Sequence, residues 1–331
     1  MKHHTSSTCS PRTQLAGVTS LWILAPVSGA ALYQLKDHLP SMQSLRLRRI
    51  SCRNEDQYPD NGETPRDIFT NTPSLKHVGL SRWTWDWKFD WSNSTHLELS
   101  FEIYDYQKPL LLSLQQAINL NTLDTTTVNN SFIISERITL PRLESMRVWD
   151  YHWLSYIKAP RLQNLCLHGS PAIDINIVIL FLRESGCELT RLTLVDGSLP
   201  TKILRHVPGL IQLNLVDELH GNVVDYIESL CVPILPYPLV GSELAVPRLQ
   251  SLQFDTWCRS HLENRTIDGL SKLLSLRNGQ AANNGGRPAE RLELPIVGKN
   301  VIRRDEKLIR LCGTFRVKLR SPEDVPRLFA Y

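Results

Sequence analysis

Side chains that could perform catalysis do not form a known catalytic motif in this sequence. There is no Gly-x-Gly-x-x-Gly or phosphate-binding loop for a nucleotide, and no His-Glu-x-x-His or Cys/His spacing typical of zinc. The nucleophile motif Gly-x-Ser-x-Gly is also missing. Aspartates recur just after predicted strands, where they are typical of turns or helix caps: Asp150, Asp196, Asp217 and Asp255. The sequence therefore predicts a protein that is not an enzyme and uses no cofactor.

A second group of polar and aromatic residues has the composition of a protein-binding surface. Each directly follows a leucine or another apolar residue, so in a strand the group would face away from the apolar side chains. Arginine and tryptophan in particular anchor protein interfaces. The predicted contact residues are Arg46, Arg48, Arg147, Trp149, His168, Asn214 and Asp255. The alternative is that these positions are polar only because they face water.

The segment 82–91 (RWTWDWKFDW) contains half of the eight tryptophans of the chain. Its aromatic residues alternate with polar ones, which as a strand would place them on one face. These residues are Trp83, Trp85, Trp87, Phe89 and Trp91. Two interpretations stay open: the aromatic face covers the core, or Trp83, Trp85 and Trp87 form an exposed aromatic patch for a partner.

The candidate residues are positioned by a repeated phrase, Pro-x-Leu-x-x-Leu-x-Leu, which occurs with small substitutions. Proline stops a preceding helix, and the closing Leu-x-Leu has the period of a β-strand. The copies begin at Pro40, Pro73, Pro141, Pro160, Pro208 and Pro247, with a further copy at Cys187. Weaker copies end at Ile23, Leu99, Thr125, Leu294 and Leu319.

One short strand cannot bury its leucines alone, but a stack of similar units shares one core. The mean step between copies is about 27 residues, inside the roughly 20–29 of leucine-rich repeats. Helical patterns fall between the predicted strands at 110–118, 174–185, 222–230 and 267–277. The sequence therefore predicts an α/β leucine-rich-repeat solenoid, a horseshoe with a parallel concave sheet and irregular helices on the convex side.

The repeats predict a single solenoid over residues 15–331, after a disordered N-terminus at residues 1–14. Stretches rich in polar, proline or glycine residues interrupt the repeats. They predict loop insertions near residues 51–65, 231–247 and 278–288.

Charge and cysteine content limit the partners and the compartment. A net charge of +4, spread along the chain, does not indicate a nucleic-acid partner, and no stretch is apolar enough to span a membrane. Seven cysteines without Cys-x-x-Cys spacing are typical of buried thiols in a reducing compartment, so we expect cytoplasmic or nuclear localisation. The alternative is a secreted repeat protein, because residues 15–32 partly fit a signal peptide and Asn93, Asn129 and Asn264 lie in glycosylation sequons.

Four stretches follow one another in a recognisable order: 91–99 (WSNSTHLEL), 118–123 (INLNTL), 140–146 (LPRLESM) and 159–165 (APRLQNL). This order resembles the leucine-rich-repeat region of fungal F-box proteins, and the resemblance covers roughly residues 15–255. Where that family has leucine in the first stretch this chain has Ser94, so we expect loose packing there.

The resemblance implies a substrate receptor for a cullin-type ubiquitin ligase. In that family an N-terminal F-box holds the ligase adaptor, and the repeats hold the protein target on the concave face. No Leu-Pro-x-Glu opening of an F-box precedes residue 40 in this sequence. We therefore expect a protein target for the repeats, and a ligase adaptor as partner only if an F-box is missing from this sequence.

Overall fold

The computed structural model of this protein divides the chain into two compact units, residues 1–130 (unit 1) and 131–331 (unit 2). Each unit has its own parallel strands and its own buried residues. The described residues are 19–23, 40–48, 69–70, 72–81, 89–101, 113–127, 137–168, 174–195, 201–217, 227, 230–231, 248–256, 268–276, 296–297 and 310.

The described strands of unit 1 are all parallel, and each is hydrogen-bonded to the next one along the chain. Strand order therefore equals sequence order, as a stack of repeats requires. The strands are β1 (Ser20–Ile23), β2 (Ser44–Arg48), β3 (His77–Ser81), β4 (His96–Phe101) and β5 (Thr122–Thr127).

Unit 2 repeats this arrangement in its main sheet. Its described strands are β6 (Ile138–Thr139), β7 (Ser145–Val148), β8 (Ile157–Lys158), β9 (Asn164–His168), β10 (Arg191–Val195), β11 (Gln212–Asp217), β12 (Ser251–Thr256) and β13 (Ile296–Val297). The main sheet has the order β7-β9-β10-β11-β12-β13, with parallel pairing throughout. Strands β6 and β8 pair with each other in a separate two-stranded parallel sheet.

The strand register aligns the equivalent positions of the repeats. In unit 1 the predicted strand ends Ile23, Leu47, Leu80, Leu99 and Thr125 pair in sequence. In unit 2 the same holds for Val148, Leu167, Leu194, Leu215 and Phe254. The predicted leucine-rich-repeat solenoid with parallel strands is therefore confirmed.

The last repeats are less accurately predicted. Phe254 pairs with Ile296, so the strand expected to end at Leu294 lies two positions later in the chain. The copy predicted to end at Leu319 lies outside the described residues, as do residues 1–14, 51–65, 232–247 and 278–288.

Proline starts four of the described repeats by forming a tight turn. In four repeats the leucine two positions after proline donates its N–H to the carbonyl of the residue before proline, as in Leu75 to Thr72 at 3.0 Å and Leu162 to Ala159 at 3.1 Å. Proline thus occupies the second position of a β-turn, for which its fixed φ is favourable. The leucine that closes the turn is buried in all four cases: Leu75, Leu143, Leu162 and Leu210.

Successive repeats are joined by a recurring pair of backbone hydrogen bonds. Two consecutive N–H groups at the start of a strand donate to one carbonyl of the preceding repeat. Thr95 and His96, for example, both donate to the carbonyl of Lys76, at 2.8 and 2.9 Å. The accepting residues are Thr19, Gln43, Lys76 and Thr95 in unit 1, and Glu144, Gln163, Thr190 and Ile211 in unit 2. Because one position of each repeat accepts both bonds, the register of the next strand is fixed.

Helices and helical turns fill the connections between strands. Helix α1 (Ile175–Ser185) matches the pattern predicted at 174–185: Asp174 caps its start by accepting from the Asn176 N–H, and Gly186 ends it at φ 60°. Residues 268–276 are also helical, close to the predicted 267–277. The pattern at 110–118 gives only a short helical turn at 113–114 within its described part, and most of 222–230 lies outside the described residues.

The aromatic segment contributes to the core where it is described. Phe69 and Phe89 are stacked with ring centroids 4.5 Å apart, and Trp91 lies 4.9 Å from Phe89. All three side chains are buried. For Phe89 and Trp91 this favours the core-covering interpretation, whereas Trp83, Trp85 and Trp87 lie outside the described residues.

Ser94 is fully buried at the position where leucine was expected, and its hydroxyl has no hydrogen-bond partner. Replacing it with alanine removes this unsatisfied group, so we expect Ser94→Ala to raise the free energy of unfolding by about 1 kcal/mol. Ser92 is the matched control, because its hydroxyl donates to Asp90 at 2.6 Å. Chemical denaturation of Ser92→Ala should show a decrease, and a decrease for Ser94→Ala as well would contradict the prediction.

Candidate functional site

The sheet surface that faces away from the buried leucines carries the predicted contact residues, and we call it the outer face. In unit 1 its central row crosses the five strands at paired positions. The row consists of Trp22, Arg46, Gly79, Glu98 and Asp124. Trp22 is 62% exposed, the largest exposure among the large apolar side chains of the described residues.

Arg46 links three repeats of this row. Its guanidinium carbon lies 5.4 Å from the centre of the Trp22 ring, a cation–π contact. The same guanidinium forms an ion pair with Glu98, which lies two strands away. Trp22 and Glu98 therefore hold Arg46 from both sides and fix its direction along the row.

The absence of a side chain at Gly79 leaves room for Arg46 to extend across the strand to Glu98. A Cβ atom at this position would lie 2.9 Å from Cγ and 3.2 Å from Nε of Arg46, closer than such atoms normally approach. The arginine side chain therefore lies directly over the glycine on its way to Glu98. A larger residue here would displace Arg46 from its partners.

Two histidines are stacked in the neighbouring row of unit 1. The rings of His77 and His96 are nearly parallel, with centroids 4.3 Å apart. Burial, and in second place the neighbouring His77, lower the pKa of His96. The lowered pKa disfavours a positive charge on His96 beside the stacked ring of His77.

The outer face of unit 2 is organised around Trp149 and His168. Their rings are parallel within 9° and their centroids lie 3.9 Å apart. Burial, and then the positive charge of Arg147, lower the pKa of His168 to about 4. His168 is therefore uncharged near neutral pH, and it gives Trp149, which remains 40% exposed, a flat support.

A chain of hydrogen bonds follows the same face across two strands. Arg191 Nε donates to Gln212 Oε1 at 2.9 Å, and Gln212 Nε2 donates to Asn214 Oδ1 at 2.9 Å. Asn214 Nδ2 in turn donates to Thr193 Oγ1 at 3.0 Å. Asn214 is 0% exposed, so its amide is an internal part of this network. Because the Asn214 side chain is buried, it is not accessible for the direct partner contact that the sequence predicted.

The predicted contact residues thus differ in accessibility. Arg46 and Arg147 are partly exposed and Trp149 is exposed, whereas His168 is buried beneath Trp149. The side chains of Arg48 and Asp255 lie outside the described residues.

Several outer-face residues were missed by the sequence reasoning. Trp22, His77, His96 and Arg191 all precede or separate the apolar positions of a strand. The alternation that identified Arg46 and Arg147 applies equally to Trp22. His77, His96 and Arg191 occupy the first position of their strands, so the same register would have found them.

Two other kinds of function, metal binding and membrane spanning, were checked against the described residues. No group of three or more His, Cys, Asp or Glu residues among the described positions could hold a metal ion. None of the described helices has the length and apolar character needed to cross a membrane.

Asp150, predicted to be a capping residue, accepts from the His152 N–H at 2.9 Å at the start of the 3-10 helix Tyr151–Ser155.

The short distance between Gly79 and the Arg46 side chain predicts that the stability effects of substituting these two residues depend on each other. We expect Gly79→Ala to be about 0.5–1 kcal/mol less favourable to stability in the wild type than in an Arg46→Ala background, because in the wild type Arg46 must move away from Glu98. In an Arg46→Ala background the same substitution should be neutral or stabilising, since alanine is favoured over glycine in a strand. Chemical denaturation of the four variants measures this coupling, and equal effects in both backgrounds would disprove it.

The buried His168 predicts a pH dependence of stability. Its pKa in the folded state is depressed, so its contribution is fully present above about pH 6.5 and is lost as the pH falls toward 4. We expect a decrease of about 1–3 kcal/mol in the free energy of unfolding across this window. His168→Phe retains a ring against Trp149 but cannot take up a proton, so it should flatten the dependence. An unchanged pH profile in this variant would rule the mechanism out.

Comparisons with known proteins add a likeness to solved structures. No protein-family model matches this chain, and no curated protein matches it either. A solved structure titled "Crystal structure of TLR13-ssRNA13 complex" is similar over 88% of this chain, at 14% identity and a TM-score of 0.43. The match covers 40% of the length of that chain. The fold assignment depends on the strand register and buried leucines described above, and not on this likeness.

Proposed function

We propose that this protein is a non-enzymatic protein-binding module that contacts its partner through the outer faces of its repeats. The observation that carries the proposal is the exposed Trp149 ring, held flat on the buried His168 beside Arg147. Tryptophan and arginine are the residues most often responsible for binding energy at protein interfaces.

Preorganisation supports the same proposal. Stacking on His168 restricts the rotation of Trp149, and Trp22 and Glu98 restrict Arg46 in unit 1. Side chains that are already ordered lose less conformational entropy when a partner binds. Rows of ordered side chains along a sheet suit a protein surface or an extended peptide.

A more specific role follows from the sequence resemblance to fungal F-box proteins. We propose that the repeats hold a protein that is to be ubiquitinated, in the cytoplasm or nucleus. A ligase adaptor is a partner only if an F-box is missing from this sequence. Supporting this role are the order of the four matching stretches and the parallel repeats that contain them. Reduced ubiquitination of the captured partner after depletion of this protein would test the role.

Site-specific cross-linking tests the binding surface directly. A photo-reactive benzoylphenylalanine replaces Trp149, and the matched control carries it at Lys202, an exposed residue of the 3-10 helix Thr201–His206. We expect partner cross-links from position 149 only, because the outer face makes the contact. The double variant Arg147→Glu/Trp149→Ala should reduce recovery of that partner by about tenfold or more.

Two results would contradict the proposed surface. One is equal cross-linking from position 202; the other is unchanged recovery by a double variant whose circular dichroism and unfolding transition match the wild type. Cross-links from neither position would place the contact elsewhere and would also overturn the proposal.

A further inference from the structure

Two histidines of successive repeats form a close pair on the outer face of unit 1. His77 and His96 occupy paired positions on β3 and β4, and their rings are nearly parallel with centroids 4.3 Å apart. Both side chains are exposed, so a small ligand can reach them. Imidazole nitrogens suit Zn²⁺, Cu²⁺ and Ni²⁺, whereas Ca²⁺ and Mg²⁺ prefer oxygen. The pair therefore has the chemistry of a transition-metal site.

A hydrogen bond holds the ring of His96 in the form that a metal ion requires. The Thr95 hydroxyl donates to the Lys76 carbonyl at 3.3 Å, and its oxygen lies 2.9 Å from His96 Nδ1. Because the single hydroxyl proton is used on the carbonyl, this oxygen accepts the second bond from a protonated Nδ1. The lone pair of His96 is therefore on Nε2. Histidines that bind metals typically have their other ring nitrogen held in this way.

The surroundings of His96 also favour a metal ion over a proton. Partial burial, and in second place the neighbouring His77, lower the pKa of His96. Protons then compete less with a metal for the ring, because only the uncharged imidazole is a ligand. The flanking residues of the same row are Ser44, which pairs with His77, and Thr122, which pairs with His96. Both carry hydroxyl groups and add no charge.

The distance between the two rings is close to that of a shared metal ion. With Zn–N bonds of about 2.0–2.1 Å, two nitrogens at a tetrahedral angle lie about 3.3–3.4 Å apart. The ring centroids of His77 and His96 are 4.3 Å apart, so a modest tilt of the rings toward each other brings two nitrogens into this range. Strand pairing keeps the backbones of both residues in place during this movement.

The pair supplies two ligands, and the described part of the chain adds no third. Glu98 follows His96 by two positions on the same face, but its carboxylate forms an ion pair with Arg46. This agrees with the lack of any group of three ligating residues among the described positions. A metal ion held by two histidines keeps open coordination positions, which water or a side chain of another molecule can fill.

We propose that His77 and His96 form a binding site for a divalent transition-metal ion such as Zn²⁺ or Ni²⁺. The ligands are Nε2 of His96 and a ring nitrogen of His77, and Thr95 is a positioning residue that orients the ring of His96. The motif search could not find this pair, because its members belong to successive repeats and meet only through strand pairing. The inference does not depend on the proposed protein-binding function.

Isothermal titration calorimetry of the full chain with ZnCl₂ and NiCl₂ tests the site, and MgCl₂ is the control for an oxygen-preferring ion. We expect binding of Zn²⁺ and Ni²⁺ but not of Mg²⁺. His77→Gln and His96→Gln should each weaken binding by about tenfold or more, because the remaining imidazole loses its chelating partner. The matched control His3→Gln/His4→Gln removes two histidines that are adjacent in the sequence, and it should leave the affinity unchanged.

Two threonines separate the orientation of His96 from a general effect on the fold. Thr95 and Thr190 both donate from the hydroxyl to a carbonyl of the preceding repeat, at 3.3 and 3.2 Å. Thr190 is followed by Arg191 and not by a histidine. We therefore expect Thr95→Val to weaken Zn²⁺ binding by about tenfold, and Thr190→Val to leave it unchanged. Equal affinities of the two valine variants would remove the positioning role of Thr95.

The site fails if the wild type binds neither Zn²⁺ nor Ni²⁺, or if His77→Gln/His96→Gln binds as tightly as the wild type. It also fails if His3→Gln/His4→Gln causes the same loss. His77→Phe/His96→Phe keeps two stacked rings without a ligand nitrogen, and it replaces the glutamine variant if that one impairs folding. The cross-linking at Trp149 is measured without added metal, so failure of this site and failure of the proposed function are distinguishable.

Discussion

The structure depends on one recurring backbone interaction: at the start of eight of the described strands, two consecutive N–H groups donate to one carbonyl of the preceding repeat. The accepting carbonyl fixes the register of the next strand. Because the register decides which face each side chain occupies, it also fixes where the side chains of that strand point. Within each unit the leucines then share a core, and the residues between them form rows across the strands. Both candidate binding faces are consequences of this register, since Arg46 meets Trp22, and Trp149 meets His168, only when the repeats are in step.

Among the described residues, each unit contains a glycine beneath a charged pair. Arg46 reaches Glu98 over Gly79, and Arg248 donates to Glu188 at 3.0 Å across Gly209, where a Cβ would lie 3.2 Å from Glu188 Cγ. In both cases the partners belong to repeats that are not direct neighbours. Because both pairs are exposed, each adds little to stability. The more important effect is on orientation, since a long side chain that is anchored at its tip has few remaining rotamers.

The sequence alone predicted those strands and helix ends that are determined by residues next to them in the chain. Alternating leucines and the preceding prolines predicted the strands, and Asp174 and Gly186 predicted the ends of α1. Features that depend on neighbouring repeats could not be predicted. The burial of Asn214 arises from its bonds to Thr193 and Gln212, and the stacking of Trp149 on His168 depends on the offset between two strands. The last described strand was misplaced by two residues because Leu292 and Leu294 gave a clearer alternation than Ile296 and Val297, which form the pairs.

Each strand takes its position from the strand before it, and this local dependence bears on how such a scaffold can evolve. The chain between the accepting Ile211 and the donating Gln250 is about twice as long as the chain between the accepting Lys76 and the donating Thr95. The hydrogen bonds are nevertheless of the same kind. A connection can therefore lengthen without disturbing strands on either side. A domain acquired by insertion in a long connection would leave the paired strands and their rows of side chains intact, so such a scaffold can gain new parts while its sheet surface is inherited unchanged.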